Sequence, residues 1–155
     1  MNQYLSDALE EIKRVDHLVF VSLKYTRTVD VIRSVIDRTI NALEFIFLAF
    51  LDDLKEKKII EDIPSAHGVR VNILEQNFSD DIEIKEFLEF YTFLRKIIRA
   101  EYAKREEYRR HVTMITNLDD GNTVEINIDI LNDYYDRIKK FLHYAVNLLA
   151  GEKNE

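Results

Sequence analysis

Cysteine and tryptophan are absent from this chain, and turn formers are scarce: 3 Gly and 1 Pro in 155 residues. Without cysteine there is no disulfide, no thiolate nucleophile and no cysteine-ligated zinc, and a reducing, cytoplasmic location is expected. So few turn residues predict long helices with few connections. No long apolar run is present either. The most apolar stretch, residues 43–51, contains Glu44 and runs into Asp52 and Asp53. It falls well short of the ~20 apolar residues that a membrane span needs. The first residues, Met1-Asn2-Gln3-Tyr4-Leu5-Ser6-Asp7, lack the basic start and apolar run of a signal peptide. Gly-rich phosphate loops and serine-nucleophile motifs are missing, as are internal repeats.

Present in their place is the composition of a folded globular chain, 46% hydrophobic and 33% charged. The length fits one domain that buries roughly 70% of its unfolded surface. The net charge is −7, which argues against broad, nonspecific DNA binding. The charge is uneven. Residues 95–111 carry Arg95, Lys96, Arg99, Lys104, Arg105, Arg109 and Arg110 against Glu101, Glu106 and Glu107, a local net of +4 in an otherwise acidic chain.

Apolar spacing predicts a first helix over 3–24, through Leu5, Leu9, Ile12, Val15, Val19 and Leu23. A single helix on to Lys57 would be roughly 80 Å long, too long for one compact domain. A break at 25–28 is therefore expected, with Thr28 as N-cap of a second helix over 29–57 and Asp30 in its first turn. Pro64 and Gly68 mark a connector holding a short helix over 69–77. A third long helix is predicted over 80–111, its stripe running through Ile84, Phe87, Tyr91, Leu94, Ile98 and Tyr102. Extending that stripe places Arg105 and Tyr108 at core positions. The period then switches to strand over 112–116 and 123–130 around Asp119-Asp120-Gly121-Asn122, a hairpin turn. A calcium loop would need further ligands that are lacking here. The last helix is expected over 131–150, with Gly151 as its C′ residue. The fold class is all-α: one domain, a bundle of four long, mostly antiparallel helices with a short β-hairpin before the last helix.

Three features of this order resemble the HEPN superfamily of all-helical RNases and toxin components. Arg105 and His111 stand with five residues between them, late in the bundle. The segment Ile63-Pro64-Ser65-Ala66-His67-Gly68 resembles the Pro-x-x-His connector of such domains. Two long helices, a connector, a helix ending in the Arg/His motif and a last helix give the same order. The resemblance differs at Glu106, where a small polar residue is common, and in the hairpin that follows His111. It implies metal-independent RNA cleavage with no cofactor. His111 would move the proton at the 2′-hydroxyl or the leaving oxygen, and Arg105 would orient the phosphate. Tyr108, Arg109, Arg110 and Arg99 would hold neighbouring phosphates or a base. Residues six apart on an ideal helix lie about 120° apart around the axis. Either the helix ends before His111, or two protomers pair to build one cleft; the resemblance implies a homodimer. It also implies RNA as ligand, a toxin-type or RNA-processing role, and a partner such as a nucleotidyltransferase.

The alternative is a noncatalytic interaction module or a structural homodimer. In that reading Arg105 is a buried cation paired with Glu44, Glu101 or Asp37, and His111 is a helix C-terminal residue. His67 is a second candidate because its loop is flanked by Pro and Gly. His17 and His143 have no helical neighbour that completes a metal pair, so no metal site is expected.

Overall fold

A computed structural model describes residues 2–153. The first rod comprises α1 (Gln3–His17), a π-helical turn (Leu18–Ser22) and α2 (Leu23–Tyr25). Residues 26–28 turn the chain, and α3 (Val29–Glu56) begins where expected, the Thr28 hydroxyl accepting from the Val31 N–H at 3.3 Å. The rods run antiparallel, so the buried Glu11 carboxylate meets Arg38 across the interface at 3.3 Å and Arg14 on its own helix at 2.6 Å. The connector leads to α4 (His67–Asn77) and α5 (Ile82–Arg99). Asp81 caps α5, accepting from the Ile84 N–H at 3.0 Å and from the Tyr144 hydroxyl.

The third long helix differs from expectation. It ends at Arg99, and residues expected to continue it form β1 (Glu101–Arg105). This strand pairs antiparallel with β2 (Thr113–Asn117), which pairs with β3 (Thr123–Ile126), so the hairpin is a three-stranded meander in the order β1-β2-β3. The break falls at Ala100, whose ψ of 159° leaves the helical region. The register sets Tyr102 opposite Thr116 and Lys104 opposite Met114. These strand pairings are nonlocal, and they override the local helical period. Gly121 turns the hairpin at φ +86°, while the Asp120 carboxylate accepts from the backbone and side chain of Asn122. Those bonds hold its pKa below the usual carboxylate value. The last helix, α6 (Ile128–Lys153), starts earlier than expected because Asn127 accepts from the Ile130 N–H at 3.0 Å. It also passes through Gly151 rather than ending before it.

The core sits around α3, which packs on α1, α5, α6 and β2. Aromatic rings join the layers: Phe141 of α6 stacks on Phe87 of α5 at 4.1 Å and meets Phe47 and Phe50 of α3. Buried Val112, Met114 and Ile126 close the sheet onto the helices. No helix among the described residues is long and apolar enough to cross a membrane.

Three tyrosines of α6 are pushed up to about 12: Tyr134 by burial, Tyr135 by burial and its bond to Asp16, Tyr144 by burial and its bond to Asp81. The folded state favours their neutral phenols, whereas the unfolded chain releases these protons near 10.0. The stabilisation is therefore intact below that pH and is lost as pH rises toward about 12. Urea unfolding at stepped alkaline pH should show stability falling across that interval, with a shallower fall in Tyr135→Phe.

Candidate functional site

The Pro64 carbonyl accepts from Arg70 Nε at 2.5 Å, which folds the connector against α4. His67 therefore opens α4 with its ring toward α3, Nδ1 lying 3.6 Å from Glu44 Oε2. Glu44 is the carboxylate that interrupts the most apolar stretch of the chain, and its helix holds it in place. On α5, Tyr91 lies beneath, 2% exposed, its hydroxyl accepting from Arg95 Nη1 at 3.3 Å. Burial raises the phenol pKa, and the nearby Glu44 charge raises it further; Arg95 and Arg70 oppose the shift. A carboxylate–imidazole pair and a phenol–guanidinium pair thus stand on neighbouring helices, close enough for the Glu44 charge to act on Tyr91.

Tyr91, Arg95 and His67 line a groove of about 1180 Å³ between α4, α5 and the β2–β3 turn. Lys96 and Arg99 continue the cationic side of α5 along it. The opposite wall includes Leu118, Asp120 and Asn122. Arg95 and Arg99 stand one helical turn apart, about 6 Å along the axis. Glu75, Glu89 and Asp119 also line the groove, so its charge is mixed rather than uniformly basic. An imidazole beside a carboxylate can carry a proton, and a guanidinium can neutralise an oxyanion.

Of the residues singled out in sequence, Arg99 belongs to this groove, and Arg105, Tyr108, Arg109, Arg110 and His111 are not among those lining it. Arg105 does not occupy a core position. It ends β1 on the outer sheet face, half exposed, bonded to Glu125 at 2.5 Å rather than to Glu44, Glu101 or Asp37. That hydrogen bond raises the guanidinium pKa further. The helical stripe that placed Arg105 and Tyr108 inward stops at Arg99, so Tyr108 is 78% exposed. His111 is exposed as well, in a turn rather than at a helix end, its carbonyl accepting from the Thr113 hydroxyl at 2.8 Å. His17 lies 3.5 Å from the Ser22 hydroxyl, and His143 lies 3.1 Å from Asn147 Nδ2.

The loop between Arg105 and His111 is held from below. The Glu107 carboxylate accepts from the Val29 N–H at 3.0 Å, and the Tyr108 N–H donates to the Arg27 carbonyl at 2.6 Å. On either side of Glu107, Glu106 and Tyr108 take positive φ, +54° and +67°, in this loop. The α3 N-terminus is thus occupied by the protein's own carboxylate. The pairing of His67 with Glu44 and of Tyr91 with Arg95 escaped sequence reading, although an acid inside so apolar a stretch was a visible trace of the first.

No family model matches the chain, and comparison with curated proteins and with solved structures finds no match either.

Replacing Glu107 with Ala leaves the first N–H of α3 without its charged acceptor. Urea denaturation should show a loss of about 1–2 kcal/mol, with Glu107→Gln recovering part of it.

Proposed function

We propose that the groove between α4, α5 and the β2–β3 turn binds single-stranded RNA and cleaves it without a metal, with His67 as the proton-transfer group. The His67–Glu44 pair and the Tyr91–Arg95 pair, with His67, Tyr91 and Arg95 all lining the groove, carry this reading. Imidazole suits proton transfer near neutral pH. His67, oriented by Glu44, takes the proton of a 2′-hydroxyl. The 2′-oxygen attacks the adjacent phosphorus, the bond to the 5′-oxygen breaks, and that oxygen leaves with a proton from solvent. The products are a 2′,3′-cyclic phosphate and a 5′-hydroxyl. Arg95 neutralises the nonbridging oxygens, and Tyr91, kept protonated by its raised pKa, donates a hydrogen bond at the same spot. Lys96 and Arg99 take the next phosphates along the strand. With a chain charge of −7, RNA is repelled at long range, so binding is local and weakened by salt.

This reading retains the RNA chemistry that the HEPN resemblance implies and moves it from Arg105 and His111 to His67 and Arg95. Arg105 is bonded to Glu125 on the outer face of the sheet, whereas His67 and Arg95 line the groove. A toxin-type or RNA-processing role and a nucleotidyltransferase partner rest on the resemblance alone.

End-labelled single-stranded and structured RNA, incubated with the protein in EDTA at low salt, tests the proposal. Wild type should leave cyclic-phosphate ends. His67→Ala should lose about 100-fold or more of the rate, while His111→Ala should retain it. Loss in His111→Ala with retention in His67→Ala would return the reaction to the Arg105/His111 pair. No RNA binding at low salt would remove the function.

A further inference from the structure

The sheet has a backbone edge, at β1, that no strand among the described residues pairs with. All five residues of β1 are exposed. Beyond its ladder to β2, no backbone hydrogen bond among the described residues involves Glu101–Arg105. A bare edge of this kind pairs with another strand unless its side chains forbid it. Here the side chains select a partner.

Glu101, Ala103 and Arg105 lie on the outer sheet face with Ile115 and Glu125, while Tyr102 and Lys104 lie on the inner face with Met114 and Thr116. The strand is complementary to itself. In an antiparallel pairing centred on Ala103, Glu101 stands opposite the partner's Arg105, and Tyr102 stands opposite the partner's Lys104. The small Ala103 side chain meets its own copy at the centre. Sliding the register by two positions in one direction sets Lys104 against the partner's Lys104; in the other, it sets Glu101 against the partner's Ala103. Only the centred register matches both charges and uses all five residues.

We infer that β1 is a homodimerisation edge: two copies join β1 to β1 about a twofold axis through Ala103, forming a continuous six-stranded sheet. The axis stands perpendicular to the sheet, because residues brought opposite one another come from equivalent faces. On the outer face, Arg105 then lies between Glu125 of its own chain and the partner's Glu101. Ile115 and Ala103 of both copies form an apolar row flanked by the two Arg–Glu pairs. On the inner face, the stem of Lys104, whose ammonium lies 3.9 Å from Asp30 and 3.8 Å from Glu107 of its own chain, runs beside the partner's Tyr102. The charged ladder also restricts the edge to one partner, since a foreign strand would have to match an acid, an aromatic and two cations in this order. The inference does not depend on the RNA reading of the groove.

Sedimentation equilibrium or light scattering across a wide concentration range tests it. Wild type should be a reversible dimer with a dissociation constant of about 10–100 µM, since five paired residues make a small interface. Glu101→Arg disturbs no ion pair within the described residues of the monomer, and it should weaken the dimer about tenfold or more. Arg105→Glu should do the same. An equimolar mixture of the two variants should form a heterodimer, because each acquires the other's complement. Circular dichroism establishes that each variant is folded. A wild type that stays monomeric to about 1 mM, a dimer that Glu101→Arg leaves intact, or folded variants that fail to pair when mixed would each overturn the inference.

Discussion

Burial of α3 on all but one polar stripe, which runs through Asp30, Ser34, Asp37 and Asn41, is the constraint on which the other elements depend. Its apolar residues meet α1 on one side, α5 and α6 on others and β2 at one end. Several of the polar side chains on this helix are tied to neighbours. Thr39 bonds back to the Val35 carbonyl, Asp53 pairs with Lys57, Arg38 reaches Glu11, and Arg33 bonds to the Ile98 carbonyl beneath Tyr102. Glu44 is the carboxylate that remains to face the α4 side, and it meets His67 there. The geometry of the groove thus follows from the same burial that stabilises the fold.

Both ends of the basic window are tied to α3. At the helix start, Thr28 and Glu107 cap the first N–H groups, which anchors the loop after β1 and sets where the meander begins. Farther along, α5 lies on α3 through Leu94 and Ile97, and this points Arg95, Lys96 and Arg99 into the groove. The cations that looked like one cluster in sequence therefore divide. Those on α5 line a cavity, and Arg105 joins the outer face of a sheet.

Much of the fold was legible because its signals are local. Thr28 and Asp30 marked the start of α3, Asp120-Gly121 marked the hairpin, and apolar spacing marked each long helix. The strand β1 was not legible. No Gly or Pro separates it from α5, the apolar stripe continues through Tyr102, and what makes it a strand is pairing with residues that follow a loop. That one error placed Arg105 in the core, when it is on the surface. His67 was legible as a loop histidine. Its partners Glu44 and Tyr91 come from two other helices, and such proximity leaves no periodic trace in one sequence.

The imidazole resonances of the 4 histidines, followed by NMR while a short 2′-O-methyl oligonucleotide is added, test the groove most directly. That ligand lacks the reactive hydroxyl and is not consumed. The account predicts a saturable shift of His67, with His17, His111 and His143 unmoved. A titration that shifts His111 and leaves His67 in place would contradict it.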